Sequence, residues 1–135
     1  LTGAWVVIGN DYEIELIRKK TGLSNKGLLS KVAALITTKG DQGSIIETPT
    51  ESFSIPPVSS ERVTDPTGAG DAYRAGLILG LLHRWSWEKT GRVAALAAVY
   101  AVEKYGTQEH YYTMNSFKKR FRNYFGFSLY CSSLF

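Results

Sequence analysis

Residues 64–71 read T-D-P-T-G-A-G-D and lead directly into an apolar run with helical spacing, residues 72–82. Two glycines on either side of a small alanine allow the backbone to turn tightly and to approach a ligand closely. The first backbone N–H groups of a helix have no partner inside the helix, and they point out of its positive end. This segment therefore predicts an anion site at a helix start, with phosphate as the usual anion.

Asp71 distinguishes this segment from an ordinary glycine loop. A carboxylate is a poor ligand for phosphate because like charges repel, but it suits a base that takes a proton from a hydroxyl attacking that phosphate. Arg74 follows on the same helical face and is expected to pair with Asp71 or to reach a phosphate. The simpler alternative is a loop that merely starts a helix, with Asp71 interacting with the helix dipole. The complete motif before an apolar helix favours the catalytic interpretation.

The same eight residues closely resemble the D-T-x-G-A-G-D signature of the ribokinase-like (PfkB) carbohydrate kinases, which include ribokinase and adenosine kinase. The resemblance implies ATP-dependent phosphotransfer to a hydroxyl of a sugar or nucleoside. It implies that the backbone of Gly68, Ala69 and Gly70 forms an anion hole for the transferred phosphate and that Asp71 is the catalytic base. An alanine at Gly70 would then place a Cβ where backbone meets phosphate, and we expect it to force an unfavourable φ.

Two further motifs precede this segment in the order found in the family. Asn10 and Glu13 match its N-x-x-E motif, so the resemblance implies that they hold water bound to Mg²⁺ near the phosphates. Residues 38–43 match its T-x-G-x-x-G turn, which implies nucleotide contacts from Thr38, Gly40 and Gly43. Each motif has a structural alternative: Asn10 and Glu13 also suit a helix cap, and two glycines also suit a plain turn between strands.

The family also binds a monovalent cation, K⁺, beside the anion hole, largely through backbone carbonyls. The position that is often Ser in that pattern is His110 here, and an ordinary surface histidine is an equal alternative. The resemblance implies a cation site formed by Asp65, Thr67, Ala101, Lys104, Gly106 and His110.

Alternating hydrophobic and amphipathic segments predict an α/β fold, a ribokinase-like layered arrangement with a mainly parallel sheet flanked by helices. Gly22 is expected to stop the first helix, Ser24 to cap a second and Ser86 to cap a later one. Predicted strands cover residues 5–8, 35–38, 44–47 and 53–55, and predicted helices cover residues 12–20, 24–33, 72–83, 86–105 and 116–125.

The composition is that of a soluble globular protein, with 44% hydrophobic and 21% charged residues among 135. A net charge of +4 is compatible with an anionic substrate. The single cysteine, Cys131, fits a reducing cytoplasm, and no apolar run approaches the roughly 18 residues that span a bilayer. We therefore expect a cytoplasmic protein that takes a small-molecule substrate and binds neither nucleic acid nor membrane; a homodimer is compatible with these features.

The resemblance covers about residues 5–126 and matches only the C-terminal half of such a kinase. We therefore expect residues 1–126 to form that part of a kinase domain, with residues 127–135 as a tail outside the resemblance. Because the sequence starts with Leu1 rather than Met, we expect a fragment. The alternative to a working kinase is thus a truncated, non-catalytic, nucleotide-binding remnant. The specificity for one sugar or nucleoside is not encoded in these motifs.

Overall fold

The computed structural model of the chain describes residues 3–60, 66–103 and 111–129. A 3₁₀ turn, Gly40–Gln42, connects the second and third strands. In chain order the other elements are β1 (Val6–Asn10), α1 (Asp11–Thr21), α2 (Asn25–Leu29), β2 (Ala34–Thr38), β3 (Ser44–Glu47), β4 (Ser52–Ile55), α3 (Ala69–Leu82), α4 (Trp87–Val102) and α5 (Met114–Phe125).

The four strands form one sheet in the order β1-β2-β3-β4. β1 and β2 are parallel, because α1 and α2 provide the long crossover that parallel strands need. β2–β3 and β3–β4 are antiparallel, because the connections over residues 39–43 and 48–51 are too short for a crossover. The predicted α/β fold is confirmed, while among the described strands the expected parallel pairing occurs only between β1 and β2.

Helices cover both faces of this sheet. α1 and α2 contribute Ile14 and Leu28 to a small core on one face, where they meet Leu35 of β2. A larger core on the opposite face takes Ile36 from the same strand and residues from α3, α4 and α5. Since neighbouring residues of a strand point to opposite faces, β2 is buried on both sides, as its continuous apolar sequence indicates.

α3 and α4 pack against each other at very short distance. A Cβ built at Gly76 would lie 2.7 Å from the Cα of Ala94, and one at Gly80 would lie 2.5 Å from the Thr90 hydroxyl oxygen. Since protein interiors are close-packed, such contacts fix the position of α3 on α4, which itself packs on β3 and β4. The start of α3 is therefore held in a defined place relative to the sheet.

Most helix boundaries follow the predicted caps. Gly22 ends α1 in the left-handed conformation, and the hydroxyls of Ser24 and Ser86 accept hydrogen bonds at the starts of α2 and α4. The predicted extension of the second helix to residue 33 is wrong, because the Ala33 amide donates to the carbonyl of Trp5 and so joins the sheet. α3 begins three residues earlier than predicted, at Ala69.

Part of the predicted tail packs onto the core. Leu129 is 1% exposed, and the ring of Phe127 meets Phe121 of α5 edge-on with 5.3 Å between the ring centroids. The predicted helix stop at Gly106 and residues 130–135 lie outside the described residues. None of the helices in the described ranges combines the length and apolar character that a membrane span requires.

Candidate active site

The predicted nucleotide residues lie along one edge of the sheet. Asn10 at the end of β1 pairs with Thr38 at the end of β2, Thr38 pairs with Ser44, and Ser44 pairs with Ile55. Two of the predicted motifs thus meet at the carboxyl ends of the parallel strands, which is where ligands bind in open α/β sheets. The start of α3 joins the same edge through Tyr73, as described below.

Asn10 and Glu13 form a reciprocal capping box at the start of α1. The Asn10 side-chain oxygen accepts from the Glu13 amide, and a Glu13 carboxylate oxygen accepts from the Asn10 amide, both at 2.8 Å. The cap alternative considered for these residues is therefore present. Both residues are exposed at the sheet edge, so the cap does not remove them from contact with a ligand.

The described residues include no group of three or more His, Cys, Asp or Glu side chains placed to hold a metal ion. In the cap, the Asn10 side-chain oxygen and one Glu13 carboxylate oxygen already accept backbone hydrogen bonds. Mg²⁺ usually keeps several of its waters and is held by substrate phosphates as well as by carboxylates. The pair thus fits contact with metal-bound water and does not fit a protein cage for Mg²⁺.

The turn between β2 and β3 is tightly specified. Gly40 and Gly43 have φ of +58° and +88°, in the region that favours glycine. A Cβ at Gly43 would overlap the carbonyl oxygen of Ile55, so the turn is packed directly against the end of β4. The Thr38 hydroxyl donates to the carbonyl of Gly9 at 3.4 Å, which directs it toward β1. The fold therefore requires glycine at position 43 and favours glycine at position 40.

The start of α3 presents unpartnered amides. Gly68 precedes the helix with φ of +86°, the Ala69 amide donates to the Pro66 carbonyl at 3.3 Å, and the first regular helical bond is made by Ala72. Within the described ranges, the amides of Gly70 and Asp71 have no hydrogen-bond partner. Such amides point out of the helix start and can bind an anion.

The unusual backbone conformation lies at Gly68 and not at Gly70. Gly70 belongs to the first turn of α3, and the nearest atom to a Cβ built there is Arg74 Nη1 at 3.7 Å, an ordinary contact. The expectation that an alanine at Gly70 would force an unfavourable φ is therefore wrong. The helix begins before Gly70, so this residue takes helical dihedral angles that alanine adopts readily.

Asp71 is the acidic residue of the first turn of α3, and its side chain is 84% exposed. Arg74 Nη1 donates to Asp71 Oδ1 at 2.8 Å, which confirms the predicted pairing. Because the carboxylate stands in solvent directly beside the unpartnered amides, a hydroxyl compound bound at this helix start could reach it.

Tyr73 connects α3 to the sheet edge. Its hydroxyl makes a 2.8 Å hydrogen bond with the hydroxyl of Ser44, and both residues are buried. Burial raises the pKa of Tyr73, an effect that its hydrogen bond with Ser44 partly opposes. Sequence reasoning missed this contact, since neither residue belongs to a motif; the apolar-face position of Tyr73 in α3 was the available signal.

The structure gives only part of the predicted cation site. Ala101 is buried in α4, and Thr67 is exposed ahead of α3. Asp65, Lys104, Gly106 and His110 lie outside the described residues.

The ends of the two segments that lead to those residues are joined by a hydrogen bond between Ser60 and Glu103, and Glu103 also forms an ion pair with α5. Arg120 of α5 donates to both carboxylate oxygens of Glu103, at 2.7 and 2.6 Å, and Ser60 donates to Glu103 at 3.1 Å. The pKa of Arg120 is raised, chiefly by its hydrogen bonds to Glu103, so the guanidinium stays charged. The hydrogen bond from Ser60 therefore holds residue 60 close to the end of α4, and the ion pair holds α5 there.

Comparisons with known proteins point to one family. Residues 1–114 match the model of the pfkB family carbohydrate kinases. The chain is 36% identical over 111 residues to a nucleoside kinase of Methanocaldococcus jannaschii, a match covering 82% of this chain and 37% of that protein. It is 34% identical over 123 residues to a nucleoside kinase of Methanothermobacter thermautotrophicus, covering 90% and 39%.

Solved structures agree with these matches. The nucleoside kinase of Burkholderia thailandensis, in its complex with ADP-inosine, superposes with a TM-score of 0.91 at 39% identity. That superposition covers 96% of this chain and 40% of the other. The chain thus spans about two fifths of the length of the relatives it matches.

Proposed function

The chain belongs to the pfkB family of carbohydrate kinases, and from this we propose that it carries the phosphotransfer half of an ATP-dependent nucleoside kinase. The observation that carries the proposal is the exposed Asp71 carboxylate directly beside unpartnered amides at the start of α3. A base next to an anion site is what the transfer of a phosphoryl group to a hydroxyl requires.

In the proposed reaction Asp71 takes the proton of the acceptor hydroxyl. The hydroxyl oxygen then forms a bond to the γ-phosphorus of ATP, the bond from that phosphorus to the β–γ bridging oxygen breaks, and ADP leaves. Little covalent chemistry is asked of the protein in such transfers, so positioning and electrostatics supply most of the rate. The 84% exposure of Asp71 leaves its carboxylate accessible to an incoming hydroxyl.

The anion hole would be formed by backbone amides around residues 68–71. The amides of Gly70 and Asp71 support this role better than that of Ala69, which already donates to Pro66. The positive end of α3 adds a favourable interaction with the charge that develops on the phosphate. We therefore shift the centre of the proposed hole from residues 68–70 toward Gly70 and Asp71.

The nucleotide would lie along the sheet edge defined by Asn10, Thr38 and Ser44. The turn that contains Gly40 and Gly43 lies at this edge, so its backbone is available to the nucleotide. Glu13 and Asn10 would accept hydrogen bonds from water around Mg²⁺, an ion that neutralises phosphate charge when it is bound. K⁺ activation, a cytoplasmic location and a homodimer remain predictions from the sequence.

A nucleoside is the favoured acceptor. The relatives at 34–36% identity and the solved structure at 39% identity are named nucleoside kinases. A sugar acceptor is the second candidate, since a relative from Archaeoglobus fulgidus that is 39% identical over 70 residues is described as an uncharacterized sugar kinase.

A non-catalytic, nucleotide-binding role is favoured by a different observation, the coverage of only 37–40% of these longer relatives. On that alternative the chain binds ATP or ADP through the sheet edge and transfers no phosphate. Isothermal titration of the chain with ADP, together with an assay for phosphotransfer, separates the two roles.

A chimera tests the proposal. The part of the Burkholderia thailandensis kinase that this chain matches is replaced by the full 135-residue chain, with the natural kinase as positive control. We expect ATP-dependent phosphorylation of inosine, with ribose as the comparison acceptor. A folded chimera that phosphorylates neither compound would contradict the proposal, and faster transfer to ribose would reassign the acceptor.

A further inference from the structure

We propose that Tyr73 and Ser44 are positioning residues that set the anion hole of α3 at a fixed distance from the nucleotide turn. This inference rests on the proposed kinase function. Their hydroxyls lie 2.8 Å apart, and they are only 6% and 2% exposed. Tyr73 belongs to the helix that carries the proposed anion hole, and Ser44 directly follows the turn that is proposed to contact the nucleotide.

Tyr73 follows Asp71 by two residues in α3. Successive residues of a helix are rotated by about 100°, so the two side chains lie on nearly opposite faces of the first turns. The exposed Asp71 faces solvent, and the buried Tyr73 faces the sheet. The contact of Tyr73 thus fixes the start of α3 on the face opposite to Asp71 and does not occupy the proposed site.

Ser44 directly follows the turn that ends at Gly43. That turn is closed by hydrogen bonds from the Lys39 amide to the Gly43 carbonyl and from the Gly43 amide to the Gly40 carbonyl. Gly43 also lies against the backbone of residues 55–57. A group that holds Ser44 therefore holds a rigid turn and not a loose loop.

A hydrogen bond is suited to this task because it constrains both the distance and the direction between the two hydroxyl oxygens. In phosphotransfer, a displacement of about 1 Å in the position of reacting groups is enough to reduce the rate about 100-fold. The bond joins segments 29 residues apart in sequence, and in the described structure it is a direct polar side-chain contact between α3 and β3. Tyr73 and Ser44 are thus expected to influence transfer without touching the substrate.

The test uses Tyr73→Phe, Ser44→Ala and the double variant in the chimera that contains the full chain. Thr90→Val on α4 is the matched control, because it also removes a fully buried hydroxyl while valine keeps the side-chain shape that packs against Gly80. We measure kcat and KM for inosine, Kd for ADP and the melting temperature of each variant.

Tyr73→Phe and Ser44→Ala are each expected to lower kcat about 10- to 100-fold with KM for inosine nearly unchanged, and to weaken ADP binding several-fold. The double variant is expected to lose no more than either single variant, because all three lack the same bond. Thr90→Val is expected to lower the melting temperature comparably and to retain kcat. Equal kcat in Tyr73→Phe and Thr90→Val would overturn the inference.

The two proposals can fail separately. An unaltered chimera that binds ADP but transfers no phosphate contradicts the proposed function, and the ADP Kd then decides the role of Tyr73. Weaker ADP binding in Tyr73→Phe, with unchanged binding in Thr90→Val, supports the positioning role, and equal binding overturns it. A chimera that does not bind ADP overturns both.

Discussion

Arg74 donates a 2.8 Å hydrogen bond to Asp71 from the next turn of α3, while the Asp71 side chain remains 84% exposed. An exposed pair of this kind adds little stability, since solvent screens it and both side chains lose freedom. Its consequence is orientation: the guanidinium directs one carboxylate oxygen along the helix. The pair therefore bears on how Asp71 meets a substrate hydroxyl, more than on how the protein folds.

The two glycines of the nucleotide turn should respond differently to alanine. Gly40→Ala meets no atom within 4 Å and introduces only the strain of a φ of +58°, about 1 kcal/mol. Gly43→Ala adds overlap with the Ile55 carbonyl to a backbone conformation, φ +88° and ψ −139°, that essentially only glycine adopts, so we expect a loss of at least about 3 kcal/mol. Urea unfolding of both variants measures the difference, and equal losses would mean that the turn does not pack against β4.

Gly70→Ala should separate binding from stability. The nearest neighbour of the new Cβ would be Arg74 Nη1 at 3.7 Å, and alanine favours a helix, so stability should be retained or rise by up to about 1 kcal/mol. ADP binding in the chimera should weaken at least about 10-fold, because the Cβ stands where phosphate approaches the amides. Gly68→Ala would be strained, because Gly68 has a φ of +86°, and it should lose both stability and ADP affinity. Unchanged ADP affinity in Gly70→Ala, measured by calorimetry, would place the anion hole elsewhere.

Tyr73 should make stability depend on alkaline pH. Burial raises its pKa above the ordinary value of 10.0, so near and above that pH the unfolded chain loses the phenolic proton before the folded chain does. Its stabilising contribution is complete below pH 10.0 and is lost as pH rises through the folded pKa. Unfolding free energies between about pH 8 and pH 11 should fall less steeply in Tyr73→Phe. Tyr112, whose pKa is also raised by burial, should leave a residual slope in that variant. Identical slopes in the unaltered chain and in Tyr73→Phe would contradict the raised pKa of Tyr73.

The isolated chain should self-associate and should not phosphorylate nucleosides or sugars. Among the described strands β1 pairs only with β2, so one of its edges is open, and an open edge favours association. Trp5, Ile78 and Leu82 are 60%, 57% and 76% exposed. Sedimentation of the chain and of Leu82→Lys tests whether the exposed α3 face contributes. A monodisperse monomer with measurable transfer would show that this part of the kinase is sufficient alone.

Local features of the fold could be predicted from the sequence because they depend on near neighbours. The caps at Ser24, Ser86 and Gly22 are formed by residues a few positions apart, and a residue type suffices to indicate them. The family resemblance was carried by residues 64–71 for a similar reason, since the motif is contiguous. Its confirmation came from the family match over residues 1–114.

Other features depend on tertiary contacts that a sequence pattern does not contain. The bond between Tyr73 and Ser44 joins residues 29 positions apart, and the end of α2 depends on the contact of Ala33 with Trp5. The assignment of the unusual φ to Gly70 was wrong because it required the first helical residue of α3, and sequence patterns locate such boundaries only within a few residues.

The most direct test of the account is the turnover of Asp71→Asn in the chimera. Glu88→Gln is the matched control, because Glu88 is a first-turn carboxylate of α4 that pairs with Arg92 at 2.6 Å, much as Asp71 pairs with Arg74. We expect Asp71→Asn to keep ADP affinity within about 2-fold and to lower kcat for inosine by about 10²–10⁴-fold, the usual contribution of a positioned base. Glu88→Gln should retain full turnover. Near-normal turnover in Asp71→Asn would show that Asp71 is not the base.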